Sequence, residues 1–407
     1  MKAVQYRKSV PRYLLVRLLG RRFRRLPTGP LGLARLREVP QPRLPGPEWV
    51  RVRPRLSGIC GSDLATLFAK GSPYFSPLVS TPFVLGHEVV GVVEEVHEEC
   101  GLQAGDRVVL EPALSCRVRG LEPACDRCAE GRSHLCTNVV RGAISAGVQT
   151  GYCRDTGGGW SESFVAHPVQ LHRVPEELSD EAAVLIEPLA CCVHGVLQRP
   201  PRPEETVLVL GCGTIGLLTI AALRALGFPG RLLALAKYPH QGRWAQRLGA
   251  DGLLPVGKQL YAAVCEETGA TLLQPELGGP VLLGGVDRVY DCVGSSSSID
   301  AAVRLTRSGG SVILIGMPAI LRNVDWTHIW HKELELVGAY AYSEETVEGA
   351  RWRTFSLAME LIGKHPQWAE LVTHRFPLER YSEAIQTAAR VGKSRAIKVV
   401  FQIESGL

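Results

Sequence analysis

The sequence predicts an α/β protein built on a doubly wound parallel sheet, and three observations carry that expectation. At Thr206-Val-Leu-Val-Leu-Gly211 a short aliphatic run reads as a strand buried on both faces. It meets Gly211, Gly213 and Gly216 in the spacing G-x-G-x-x-G and continues as a helical pattern over Leu217 to Leu226. Beyond it, Arg231 to Ala236, Val286 to Cys292, Ser311 to Gly316 (after a turn at Ser308-Gly-Gly310) and Leu334 to Tyr340 read as strands alternating with helical stretches.

The glycine spacing is what a dinucleotide demands. Gly211 allows a tight turn, Gly213 lets the backbone approach a pyrophosphate, and Gly216 lets the helix pack on the strand. The helix start, with Thr214 and Ile215, then aims N–H groups at the anion. The uncharged run from Thr206 to Leu223 is closed by Arg224 before a membrane span accumulates. Where an Asp or Glu would hold the ribose hydroxyls of NAD, the chain has Ala236-Lys237-Tyr238, followed by His240 and Arg243. Lys237 and Arg243 would attract a 2′-phosphate, so NADP is favoured over NAD.

The chain is 407 residues long and 45% hydrophobic, enough for two domains. Its formal net charge of +6 is local: residues 1 to 55 hold 15 Lys and Arg against Glu38 and Glu48, and the remainder is net acidic. Cysteines number 12, with no secretory segment, which points to a reducing cytoplasmic setting where thiols serve metals rather than disulfides. Arg21-Arg22-Phe23 has the look of a twin-arginine export signal, but no apolar run of the needed length follows.

Taken in order, Lys2 to Tyr6 reads as a strand. Tyr13 to Leu26 shows helical periodicity, with Leu14, Leu15, Leu18, Leu19, Phe23 and Leu26 largely on one side and Arg17, Arg21, Arg24 and Arg25 on the other. The expectation is a surface helix packing over the active-site cleft or at a subunit contact. Attachment to an anionic surface is the alternative. No RNA-type aromatic pattern or zinc-finger spacing accompanies the basic residues, so nucleic acid is not an expected partner. Trp49 to Leu56 alternates like a strand after a proline-rich connector, Gly151 to Trp160 is a glycine-rich loop, Ser161 to His167 reads as a strand, and Ala396 to Phe401 as a closing one.

Three stretches offer metal ligands: Ser57-Gly-Ile-Cys60-Gly-Ser62-Asp63, Gly86-His87-Glu88 and Ile186-Glu187-Pro188. Singly each is ordinary. Together they supply one thiolate, one imidazole and two carboxylates, a mixed set suited to a Zn²⁺ that keeps one position for water or an alcohol oxygen. An all-thiolate shell would be closed and too electron-rich to activate an alcohol.

These stretches, with Gly-Asp-Arg-Val at 105 to 108, Glu-Pro-Leu-Ala at 187 to 190 and the nucleotide fingerprint in the same order, resemble the zinc-dependent medium-chain dehydrogenases/reductases. The likeness runs from about residue 36 to the C-terminus. It implies a mainly β GroES-like catalytic domain over 1–189, a dinucleotide-binding domain over 190–342, and a return to the catalytic domain over 343–407. It implies Cys60, His87 and Glu187 as catalytic zinc ligands or near-ligands, and Glu88 as an exchangeable fourth ligand or supporting carboxylate. A second, structural Zn²⁺ is implied in a lobe over about residues 112–140, where Cys125, Cys128 and Cys136 keep the spacing of the last three family ligands. The first is displaced: Glu122 stands in its place and Cys116 lies upstream, so Cys116 is expected to close the site, with Glu122 as substitute and a redox C-x2-C pair as the other reading.

The implied reaction is reversible oxidation of an alcohol, polyol or hydroxy amino acid with NADP or NAD. Ser62 is the candidate for taking the hydroxyl proton, and Val293 and Gly316 would lie near the nicotinamide. Leu64 and Ala65 occupy the positions where several relatives continue a relay with His, so the proton must leave by another group. Trp160, Phe68 and Tyr74 could line a pocket or simply pack. A homodimer or homotetramer is expected, and the open alternative is a zinc-free or non-catalytic relative.

Overall fold

In the computed structural model, residues 1–20, 22–23, 25–97, 100–342 and 344–403 are described. Arg21 and Arg24 of the basic segment, and Ser343 at the expected return, lie outside the described residues. The chain divides into two compact units, 1–187 with 351–407, and 188–350.

The first unit is organised by the strand Val50–Gly58. Its valines and Leu56 are buried while Arg51 and Arg53 pair across the sheet with Glu95 and Glu94, the alternation expected of a strand with one face on the core. The strand pairs antiparallel with Val89–Glu95, Phe164–Ala166 and Lys398–Gln402. With Arg107–Leu110, Leu171–Arg173 and Val372–Pro377 these make a sheet of seven strands. The register slips between Pro54 and Leu56, because proline has no N–H for the ladder. A smaller sheet joins Ala34–Glu38, Lys2–Tyr6 and Phe83–Val84.

The basic helix differs from expectation. α1 spans Val10–Leu19, beginning earlier and ending well before Leu26, because Pro11 is suited to its first turn and Gly20 closes it. It docks through Val16, which packs with Leu33 and Ala69, whereas Leu14, Leu18, Leu19 and Phe23 are exposed. Most of the expected leucine face thus points outward, while Leu15 is half-buried and Leu26 packs beside Val16. The strand expected over Ser161 to His167 shortens to Phe164–Ala166.

The second unit holds six parallel strands in the order Gly252–Leu253, Leu232–Leu235, Val207–Leu210, Val286–Asp291, Thr306–Leu314, Glu335–Gly338. Val207–Leu210 is buried at every position, as a central parallel strand must be. Successive strands run outward in opposite directions from Val207–Leu210 and Val286–Asp291, which leaves a crevice at their carboxyl ends, where such sheets bind ligands. The strand Thr306–Leu314 is interrupted at the turn expected over Ser308-Gly-Gly310: its ladder partners are Thr306 and then Ser311 onward, with Gly309 at φ 67 between them.

Candidate metal centres and nucleotide site

Cys60 lies two residues beyond the strand Val50–Gly58 and is the N-cap of helix α2, Gly61–Leu67. Its N–H donates to the Asp63 carboxylate at 2.9 Å, so the Cys-x-x-Asp spacing fixes both side chains in one helical turn. Asp63 is fully buried, and burial holds its acid up at about 6 against the pull of His87. Its Oδ1 lies 3.6 Å from Nδ1 of His87, and neither atom has a hydrogen-bond partner. A neutral imidazole whose Nδ1–H faces a carboxylate presents a bare Nε2, the form that binds a metal. Nε2 faces Ser62 Oγ at 3.5 Å. Burial disfavours a charged His87, but Asp63, Cys60 and Glu187 outweigh it and raise the imidazole to about 10, so this pocket draws a cation or a proton.

Glu88 has a buried partner of its own. Its carboxylate is bonded to the ammonium of Lys398, both side chains being 2% exposed. Lys398 also donates to Ile59 O at 3.3 Å. Burial would lower the Lys398 ammonium, yet Glu88, with Cys60 and Glu187 beyond it, holds it above its usual range. Gly58 makes room for the pair, since a Cβ there would lie 2.0 Å from Glu88 Oε2. Glu187 sits in the first turn of the helix Ile186–Gln198 and is 6% exposed. Asp63 and Lys398 are the buried charged partners of this pocket to which sequence reading assigns no role. Asp63 was visible within the Cys60 motif, whereas nothing local marks Lys398.

Tyr152, from the glycine-rich loop, places its hydroxyl 3.2 Å from Thr66 Oγ1 and also bonds Ser62, with its ring beside His87. Burial keeps the phenol neutral, far above its usual titration range. Trp160 is fully buried, donates to Gly58 O at 3.0 Å and packs on Phe401, so it belongs to the core. Phe68 packs at the edge of that core, and Tyr74 is 72% exposed.

The four thiols of Cys116, Cys125, Cys128 and Cys136 do converge, all within 4.8 Å of one another, with Cys116 and Cys136 3.6 Å apart. Zn–S bonds of about 2.3 Å imply tetrahedral S–S edges of about 3.8 Å, so the cluster fits that ion. Among the described residues no other group of metal-binding side chains closes to this sphere, Cys60, His87 and Glu187 included, and Glu122 is not part of it. Amide hydrogens are already aimed at sulfur: Cys125 N and Asn138 Nδ2 donate to Cys116, and Asn138 N to Cys136. Burial raises Cys136 to about 11, while at Cys125 it is outweighed by N–H bonds from Thr137 and Cys128, which lower that thiol to about 6. The base of the lobe is pinned by Arg119, fully buried, whose guanidinium donates to the carbonyls of Leu114, Arg141, Ile144, Ser145 and Gly147.

In the second unit, Gly211 has φ 93, and a Cβ there would meet Val293 at 2.2 Å; a Cβ on Gly216 would lie 1.8 Å from Gly211 O. At Gly213 a Cβ would meet nothing within 4 Å. That open space before helix α3, Thr214–Ala225, whose start holds Thr214 and Ile215, suits an anion. Asp291 accepts from the N–H groups of Val293 and Gly294 and from Ser298, fixing the turn against which Gly316 packs. Lys237 and Arg243 are exposed, Lys237 lying over the Tyr238 ring.

Residues 46–176 match the alcohol dehydrogenase GroES-like domain, and 214–359 the zinc-binding dehydrogenase domain. The chain is 34% identical to a sorbitol dehydrogenase of Arabidopsis thaliana over 373 residues, 88% of this chain and 89% of that one. It is 32% identical to an L-idonate 5-dehydrogenase of Vitis vinifera, again covering 88% and 89%. The solved structure of 2R,3R-butanediol dehydrogenase from Bacillus subtilis superposes with a TM-score of 0.69 at 25% identity, covering 91% of this chain and 96% of that one. With a thiol cluster that fits zinc and a glycine cradle that fits a dinucleotide, the chain belongs to the zinc-dependent medium-chain dehydrogenases/reductases, oxidoreductases that use zinc and NAD(P).

Proposed function

We propose that this enzyme oxidises a carbinol of a polyol to a ketone, reversibly, with NADP preferred over NAD. The observation that carries the reading is the pocket built by Cys60, His87 and Glu187, with Asp63 behind the imidazole and Lys398 on Glu88. The likeness to sorbitol and idonate dehydrogenases supports a polyol over a simple alcohol. In this reading Cys60, His87 and Glu187 hold the catalytic Zn²⁺, Glu88 supports them, and Cys116, Cys125, Cys128 and Cys136 hold the structural one.

When bound, zinc supplies a Lewis acid for the substrate oxygen and the nicotinamide a hydride acceptor. The chain's own groups do the rest. Asp63 keeps the His87 proton on Nδ1 and Nε2 free. Ser62 Oγ takes the substrate's hydroxyl proton as it gives its own to the Tyr152 hydroxyl, which hands one on through Thr66 to water at the half-buried end of the relay, each hydroxyl staying neutral. Gly211, Gly213 and Gly216, with Thr214 and Ile215, hold the pyrophosphate, Lys237 and Arg243 the 2′-phosphate, and Val293 and Gly316 bound the nicotinamide end. All 12 cysteines are free thiols, which supports a cytoplasmic setting, and a homodimer or homotetramer is the proposed assembly. No helix among the described residues is long and apolar enough to cross a membrane.

Nicotinamide absorbance against a panel of polyols, secondary and primary alcohols and hydroxy amino acids, with both cofactors, tests this. Turnover with polyols, lost in Cys60→Ser, is the expected result. Turnover confined to primary alcohols, or surviving that substitution, overturns it.

A further inference from the structure

Within the thiol cluster Cys116 is the ligand that spacing does not place. Residues 117–124 separate it from Cys125, whereas Cys125, Cys128 and Cys136 follow one another closely. A loop of that length leaves its end free unless other bonds fix it. The main chain is fixed first: the N–H groups of Arg119 and Leu121 each donate to Cys116 O at 3.0 Å, winding residues 116–121 into a tight turn. Those bonds hold the carbonyl of Cys116 and leave the direction of its sulfur to be set.

Two donors set it. Cys116 is fully buried, and its Sγ accepts from Cys125 N and from Asn138 Nδ2, both at 3.3 Å. The backbone N–H of Asn138 donates to Cys136 Sγ at 3.4 Å, so this one residue spans the first and last thiols, whose sulfurs lie 3.6 Å apart. Asn138 is itself anchored, because its carbonyl accepts from Arg141 N at 3.0 Å. Its amide fits only one way round. Oδ1 turned toward a thiolate would bring two electron-rich atoms together, whereas Nδ2–H makes a charge-assisted bond. Four thiolates outweigh the charge of one Zn²⁺, and N–H groups on sulfur spread the excess. Glu122 is exposed and stays outside the cluster.

We propose that Asn138 is the positioning residue of the structural metal centre: its side-chain amide aims the displaced Cys116 thiolate at the ion, so that a cysteine on a long loop serves in place of Glu122. This rests on the reading that the four thiols hold Zn²⁺. A partner of this kind, bonded to a ligand and not to the metal, is worth about 10–100-fold in affinity.

The test follows zinc release from the full-length enzyme to a colorimetric chelator, and thiolate-to-metal charge transfer with Co²⁺ in place of zinc. The release phase missing from Cys116→Ser belongs to the lobe. Asn138→Leu, close in size but without the donor, should speed that phase at least tenfold, and Asn138→Asp, which sets a carboxylate against the thiolate, should speed it further. The other phase should keep its rate in both, and Glu122→Gln should release zinc as the wild type does. At saturating Co²⁺, Asn138→Leu should reach the full four-thiolate band while binding about 10–100-fold more weakly. Release from Asn138→Leu at the wild-type rate overturns the proposal, as does faster release from Glu122→Gln. So does a band that stays diminished at saturation, because Asn138 then holds the fold of the loop and not the thiolate. A wild type with only one zinc per chain overturns the ligand assignment itself, and the proposal with it.

Discussion

Replacing Lys398 by Met removes the cation from a buried pair and leaves the Glu88 carboxylate, 2% exposed, with no opposite charge bonded to it. Breaking such a pair from one side costs about 3–5 kcal/mol. For a domain the size of the first unit that lowers Tm by roughly 6–20 °C. Differential scanning calorimetry of the wild type, Lys398→Met, Glu88→Gln and the double variant at neutral pH measures the effect. The double variant should regain most of the loss, because no buried charge remains. A single variant within 2 °C of wild type at neutral pH, or two losses that simply add, would refute the reasoning.

Cys116→Ser should reduce bound zinc from two ions per chain to one by elemental analysis and open residues 112–140 to protease before the rest unfolds, since metal affinity in such sites is folding energy. Gly213→Val should raise the cofactor KM at least tenfold with Tm unchanged, whereas Gly216→Ala should lower Tm, because its Cβ would lie 1.8 Å from Gly211 O; calorimetry and steady-state kinetics separate the two. Lys237→Glu with Arg243→Glu should cut kcat/KM for NADP by about two orders of magnitude and spare NAD, the loss expected for two charge-assisted contacts. Tyr152→Phe should lower kcat more than KM, and an unchanged kcat would show that the proton leaves Ser62 by another path.

What was legible in the sequence was local. The G-x-G-x-x-G turn, the Cys-x-x-Asp step into α2 and the C-x2-C-x7-C run each fix their geometry within a dozen residues, so spacing alone carries them. Cys116 was legible by type, since a thiol on a long loop needs only proximity. Lys398 was not: it acts on a carboxylate 310 positions earlier, and it reaches the site only because Lys398–Gln402 pairs with Val50–Gly58 at the register Val400 to Gly58. The arginine that pins the zinc lobe is equally silent, because five carbonyl partners leave no pattern of side chains. In α1 the periodicity revealed two faces but not which of them packs, and Val16 took the place expected of the leucines.

Gly58 shows how closely the local and the distant parts are joined. It reads as the first letter of a motif whose business is Cys60, yet the space at its missing Cβ is filled by Glu88 Oε2 and, 2.8 Å away, by Lys398 Cε. The strand that delivers the thiol therefore also delivers the slot in which a carboxylate is held by a lysine. Because Glu88 is bonded there to Lys398, part of the negative charge around Cys60, His87 and Glu187 is neutralised beside them. A glycine at 58 is thus a requirement of the electrostatics of the site as much as of the backbone.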